Sequence, residues 1–172
     1  MASQQNIDMN YWTWWQGLSN QWRELLVGRG GVDVAYVADR AYIQRYFQQL
    51  MSLDLSLLCD KDLTPLASLE NLSVLDLSKT EVSDITALAS LEHLTELYLG
   101  KTAVSDITSL ANLKHLSVLN LSRTLVSDIT ALANLEHLKV LDLSKTQISD
   151  ISALAKLENL TELYLVGTNV SD

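Results

Sequence analysis

The sequence predicts an α/β solenoid: a coil of stacked turns, with a parallel sheet on its concave side and short helical or 3-10 returns on its convex side. Three observations predict it. One 22-residue segment recurs without slip from Leu72 to Asn159, as LSVLDLSKTEVSDITALASLEH, LTELYLGKTAVSDITSLANLKH, LSVLNLSRTLVSDITALANLEH and LKVLDLSKTQISDISALAKLEN. Self-similarity at such a period marks an array in which each unit packs on the next. Within each copy the apolar spacing switches from two to about three, the change from strand to helical turn. A different, tryptophan-rich stretch precedes the array, as expected if the first turn of a coil needs covering.

Taken in order, residues 1–10 are polar and read as a frayed end. Tyr11 to Val27 holds all four tryptophans, and Trp15, Leu18, Trp22, Leu25 and Leu26 fall three or four apart, on one face of a helix. Gly17 divides this helix into two pieces, with Ser19 as N-cap of the second. Arg29, Gly30 and Gly31 form a loop. Asp33 is expected to cap one further helix reaching about Gln49, with Val37, Ala41, Tyr42, Arg45 and Tyr46 along it. The tryptophans are expected to pack as core over Leu53 and Leu55 of the first strand, not to form a sugar-binding or membrane surface. Residues 1–49 thus read as a helical N-terminal cap.

The repeats occupy 50–172, with starts at Leu50, Leu72, Leu94, Leu116, Leu138 and Leu160, and the last copy runs for 13 of its 22 residues. In L-x-x-L-x-L-x-x-T the second and third leucines share one side of a short strand and point inward. In V-S-D-I-x-x-L-x-x-L the spacing suits a 3-10 return, with Ser and Asp placed to cap its free N–H groups. Ordering each residue costs roughly 1–2 kcal/mol in backbone entropy, so a lone copy cannot hold itself and must stack.

The pattern LxxLxLxxTxVSDIxxLxxLxx resembles the 22-residue class of leucine-rich repeats in bacterial internalin-type proteins, over roughly residues 50–172. The tryptophan-containing region resembles the N-terminal caps of bacterial leucine-rich-repeat proteins. This resemblance implies a protein-binding scaffold, often with further domains attached. The class usually carries Asn at the ninth position; here Thr80, Thr102, Thr124, Thr146 and Thr168 stand there, which implies a tighter ladder of similar kind, since a hydroxyl reaches less far. Leu58 at that offset marks the first repeat as an edge copy.

Composition narrows the function. With 48% apolar residues, one Pro and six Gly, the chain of 172 residues is neither disordered nor collagen-like. No apolar run is long enough to span a bilayer, and no secretory signal is visible at the start. The single cysteine, Cys59, excludes an internal disulfide framework, reads as an inert edge residue, and fits a reducing compartment, so a cytoplasmic location is expected. Residues 1–49 carry four acids (Asp8, Glu24, Asp33, Asp39) and four bases (Arg23, Arg29, Arg40, Arg45), so the whole net charge of −9 sits on the repeats. Such a surface repels phosphate backbones, so neither nucleic acid nor membrane is expected as a partner, and a basic or mixed-charge protein is.

Catalytic and metal chemistry is not expected. Gly100-Lys101-Thr102 resembles the end of a phosphate-binding loop, but Thr95 stands where the preceding glycine is needed. His93, His115 and His137 share one offset and could form a column, yet no steady carboxylate accompanies them. Asp84, Asp106, Asp128, Asp150 and Asp172 read as caps and not calcium ligands, which must converge. The sequons at Asn71, Asn120, Asn159 and Asn169 fall out of the repeat frame. No nucleophile and base stand apart from it, so no enzyme activity, cofactor or metal is expected.

What varies is the outward strand surface. The third position carries Val74, Glu96, Val118, Val140 and Glu162; the fifth carries Asp76, Tyr98, Asn120, Asp142 and Tyr164. The eighth carries Lys79, Lys101, Arg123 and Lys145, then Gly167. Nothing in a coil requires tyrosine, and aromatic side chains are favoured anchors at interfaces. The candidate contacts for a partner on the concave face are therefore Glu96, Tyr98, Lys101, Asn120, Arg123, Asp142, Lys145, Glu162 and Tyr164. The favoured reading is a non-catalytic protein-interaction module. Two others stay open: the recognition arm of a larger enzyme or effector continuing past residue 172, and a homodimer through the C-terminal repeat edge, where Leu163, Leu165 and Val170 lie uncovered.

Overall fold

Short polar residues decide where the leading segment turns helical. The computed structural model describes residues 10–56, 58 and 61–171, in two units, Met1–Gln49 and Leu50–Asp172. In the first unit, α1 (Tyr11–Gly17) starts at Asn10, whose side chain accepts the Thr13 N–H at 3.2 Å. The chain breaks after Gly17, and α2 (Asn20–Gly28) restarts at Ser19, whose hydroxyl accepts the Trp22 N–H at 3.2 Å. Trp15, Leu18, Trp22 and Leu26 are buried, the helical face expected from their spacing, while Leu25 is half-buried.

The single helix expected from Asp33 to Gln49 is two elements. Asp33 caps only a 3-10 turn, Val34–Tyr36, and α3 (Arg40–Gln48) starts afresh at Asp39, which accepts the N–H groups of Ala41 and Tyr42 at 2.8 and 3.0 Å. A second acid offers a second start, and the restart turns a different face inward. Ile43 and Phe47 are buried, whereas Ala41 and Arg45 are exposed. Phe47 meets Trp14 edge-on at 4.8 Å between ring centres and packs on Tyr11 and Trp15 at 6.1 and 5.9 Å. Tyr36, Tyr42 and Tyr46 stack in a row at 5.1 and 5.8 Å. The Tyr46 hydroxyl donates to the Gly30 carbonyl, and a Cβ on Gly31, whose φ is +78°, would lie 2.8 Å from that hydroxyl. Glycine is required there by both backbone and space.

The second unit is one parallel sheet of six three-residue strands in chain order: β1 (Ser52–Asp54), β2 (Val74–Asp76), β3 (Glu96–Tyr98), β4 (Val118–Asn120), β5 (Val140–Asp142) and β6 (Glu162–Tyr164). Every neighbouring pair is in register by one repeat, Leu75 opposite Leu97 and Leu97 opposite Leu119. Between strands the chain returns through 3-10 turns at Thr64–Ser68, Thr86–Ser90, Thr108–Asn112, Thr130–Leu132 and Ser152–Lys156. The repeating Leu, Val and Ile positions form the core, and Leu94, Leu97, Leu99, Val104, Leu110 and Leu113 are fully buried in the third repeat.

Two polar rows fix the turns. Asp84, Asp106, Asp128 and Asp150 accept the first N–H of each return, from Thr86, Thr108, Thr130 and Ser152, at 2.7–2.9 Å. These hydrogen bonds, from backbone first and side chain second, hold all four carboxyls below their ordinary value. Asp172 and Cys59 lie outside the described residues. The buried threonines Thr80, Thr102, Thr124 and Thr146 donate to Leu77, Leu99, Leu121 and Leu143 at 2.6–2.8 Å. Each hydroxyl closes the turn of its own repeat. The threonines line up as a column, but their bonds run within rungs.

Candidate functional site: the exposed sheet face

The eighth residue of a repeat sits where the chain leaves the sheet, and its backbone has a specific task. The N–H groups of Lys79, Lys101, Arg123 and Lys145 donate forward, to Gly100, Ser122, Ser144 and Val166 of the next repeat, each at 2.8 Å. Two residues later the N–H groups of Ala103, Leu125, Gln147 and Asn169 donate backward, to Val82, Val104, Val126 and Ile148 of the previous one. Reversing the donor direction across so few bonds needs a sharp turn of the chain. It is made with φ of 62°, 62°, 59° and 59° at Lys79, Lys101, Arg123 and Lys145, and 74° at Gly167. Only Gly adopts this region freely.

The strand positions fall into two kinds of rung. Where the third residue is Val, the fifth is Asp or Asn, and its Oδ1 accepts the N–H of the seventh residue: Asp76 from Ser78, Asn120 from Ser122 and Asp142 from Ser144, at 2.7–2.9 Å. This is the local side-chain turn that Asp and Asn favour. Where the third residue is Glu, the fifth is Tyr. Tyr98 donates to Glu96 Oε2, and Tyr164 to Glu162 Oε2, both at 2.7 Å. The hydrogen bond to Glu96, then burial, push the Tyr98 hydroxyl up to about 12, and the bond to Glu162 raises that of Tyr164. Gly100 belongs to this arrangement as well, because a Cβ there would lie 3.0 Å from Asn120 Oδ1. Its place before Lys101 and Thr102 thus has a packing reason.

The register brings the expected contact residues onto one surface. Asp76, Tyr98, Asn120, Asp142 and Tyr164 stand side by side on consecutive strands, and Glu96 and Glu162 lie two residues before the tyrosines. Glu96, Tyr98, Asn120 and Asp142 are half-buried, and Glu162 and Tyr164 are exposed. Lys101, Arg123 and Lys145 are exposed in a row along the strands' C-terminal margin, with Lys79 as a fourth member. Sequence reasoning missed Leu125, 52% exposed beside Arg123. Its signal was available, since the other copies carry Glu81, Ala103, Gln147 and Asn169 at that offset.

A groove lies elsewhere, an open one of about 600 Å³ at the opposite, N-terminal margin, between Met51, Asn71, Ser73, Thr95 and the three histidines. His93, His115 and His137 stack with ring centres 6.5 and 6.2 Å apart and planes 19° and 7° from parallel. Rings stacked in parallel do not converge on a point. Among the described residues, no group of three His, Cys, Asp or Glu side chains is placed to hold a metal ion. No helix among them is long and apolar enough to cross a membrane.

Comparison with known proteins gives the same architecture. The family described as Leucine Rich repeats (2 copies) matches residues 92–134 and 136–172. An internalin (inlF) from Listeria monocytogenes is 34% identical with a TM-score of 0.67, covering 79% of this chain and 38% of its own. An internalin C2 (inlC2) from the same organism is 36% identical with a TM-score of 0.67, covering 74% of this chain and 57% of its own. The ectodomain of the receptor kinase SOBIR1 from Arabidopsis thaliana, at 22% identity and a TM-score of 0.59, shares the fold over 68% of each chain. The chain therefore spans well under two thirds of the internalins it matches. No curated protein matches it.

Proposed function

Because this chain is built of leucine-rich repeats of the internalin type, and such repeats are in general non-catalytic protein-interaction scaffolds, we propose that it binds a protein partner on its exposed sheet face. In this reading residues 1–49 are a helical N-terminal domain and 50–172 the recognition domain. The contacts are Glu96, Tyr98, Lys101, Asn120, Arg123, Asp142, Lys145, Glu162 and Tyr164. The observation that carries it is the division of labour within a repeat. From the second repeat to the fourth, inward positions hold almost invariant aliphatic residues at or near zero exposure, while outward ones carry two chemically different kinds of rung. A scaffold needs the first; only recognition makes use of the second.

The tyrosines are the anchors in this reading. Each is held by its glutamate in one orientation before binding, so little side-chain entropy is lost on contact. The single cysteine suits a reducing compartment, and we place the protein in the cytoplasm on that ground. The test is affinity capture from the source cells with wild type and with Tyr98→Ala/Tyr164→Ala as bait. The variant should keep its thermal transition and lose the partner by about tenfold or more, as expected for truncated aromatic anchors. Equal capture by both baits removes the site assignment.

A further inference from the structure

We propose that the row Lys79, Lys101, Arg123 and Lys145 receives a short acidic segment of the protein partner, laid across the strands along their C-terminal margin. The inference rests on the sheet face being the recognition surface, and it adds the chemistry of what is recognised.

The first observation is the choice of residue at a strained position. The backbone is left-handed at this offset from Lys79 to Gly167, with the full reversal of donor direction at Lys101, Arg123 and Lys145, and Gly167 shows that glycine takes the same conformation. Four successive copies nevertheless place a long cation there, at φ of 59–62°. Strain retained where a cheaper residue fits points to a use for the side chain.

The second observation is that these charges are uncommitted while the nearby acids are not. None of the four side chains has a hydrogen-bond or ion-pair partner among the described residues, and the ion pair formed there joins Lys61 to Glu81 instead. Asp76 and Asp142 accept from Ser78 and Ser144, and Glu96 and Glu162 from Tyr98 and Tyr164. The middle rungs are the least compensated, because Lys101 and Arg123 follow the neutral Tyr98 and Asn120. Beside them Ala103 and Leu125 are exposed, giving an aliphatic margin to the charged row.

Length gives the third argument. Strands in a sheet stand about 4.8 Å apart, so the four cations span roughly 14 Å. Sequence ends the row on both sides, with Leu57 and Gly167 at the same offset. The repeats as a whole, these four cations included, carry the net charge of −9, so the surface around the row is more acidic still. A cluster of a few carboxylates fits within the row, whereas a long polyanion overruns it and meets repulsion. Beyond a Debye length of about 10 Å that repulsion is screened, so a partner of mixed overall charge is admitted. The chemistry is thus that of a short run of Asp or Glu in a protein, and not of a nucleic acid.

The test uses the whole chain and three fluorescent probes: hexaglutamate with Gly-Ser flanks, hexalysine with the same flanks, and a thymidylate oligonucleotide of similar length. Fluorescence anisotropy is read at low and at near-physiological salt. Hexaglutamate should bind most tightly and weaken as salt rises. The variant Lys79→Gly/Lys101→Gly/Arg123→Gly/Lys145→Gly should bind it at least about tenfold more weakly, the usual scale for removing several interface charges. Its thermal transition should stay in place or rise, because glycine relieves the left-handed strain. The uncharged pair Lys101→Gln/Arg123→Gln, which leaves the backbone alone, should also weaken binding. Absence of hexaglutamate binding, binding by both variants as tight as that of wild type, or tighter binding of the oligonucleotide overturns the proposal. If the partner is lost with Tyr98→Ala/Tyr164→Ala while hexaglutamate fails to bind, the face reading stands and the row falls. If the row binds and those tyrosine variants change nothing, the row stands and the tyrosine anchors fall.

Discussion

At the scale of single residues, the strand rungs hold because Asp76, Tyr98, Asn120, Asp142 and Tyr164 each have a bonding partner nearby, and a buried hydroxyl that lacks one stands out. Ser109 occupies the offset where Ala87, Ala131 and Ala153 stand in other copies, and its buried Oγ has no hydrogen-bond partner. An unsatisfied hydroxyl costs about 1–3 kcal/mol, so Ser109→Ala should raise stability by up to that amount in urea unfolding. A fall in the midpoint would show that the hydroxyl is bonded after all. The Tyr–Glu and Asx rungs were legible in the letters, as E-L-Y against V-L-D and V-L-N, though their meaning was not. Sequence gives which residues alternate; only coordinates give that Tyr98 reaches back to Glu96 while Asp142 reaches forward to Ser144. The left-handed φ of the cationic row was hidden for a related reason, since Lys and Arg carry no mark of it. Glycine at position 167 was the one visible hint.

At the scale of elements, spacing was a good guide in the repeats, where many copies voted, and across α1 and α2, and a poor one from Asp33 onward. The 3-10 returns and three-residue strands follow from a pattern written in every repeat. The helix from Asp33 had one copy only, and a local cap at Asp39 outweighed the apparent face of Val37, Ala41 and Arg45 by bringing Ile43 and Phe47 inward. Capping also sets how the returns respond to acid. Asp84, Asp106, Asp128 and Asp150 have carboxyls lowered from 3.8 by hydrogen bonds from the following residue. A carboxyl lowered by folding contributes stability above its unfolded value, and that contribution is lost as pH falls through the folded one. Unfolding midpoints should therefore drop on acidification below about pH 4. The variant Asp84→Asn/Asp106→Asn/Asp128→Asn/Asp150→Asn should be less stable at neutral pH and show a flatter profile below it. An unchanged slope would remove these caps from the acid response.

At the scale of the whole molecule, a stack of near-identical turns holds by neighbour contacts, so the same substitution costs different amounts along it. Leu119 and Leu163 occupy one offset, the first fully buried and the second 37% exposed. Leu119→Ala should cost about 2–5 kcal/mol, as for other large-to-small core changes. Leu163→Ala should cost clearly less, and equal losses in chemical denaturation would contradict the graded burial. The matched strand register has a further consequence. Because Leu97 meets Leu119 much as Leu75 meets Leu97, a folding chain that skips one unit finds an almost equivalent pairing and loops the omitted segment out. The two kinds of rung then act as place markers: a misthreaded Tyr98 still brings Glu96 with it, but sets Asn120 away from Gly100, whose missing side chain leaves it room.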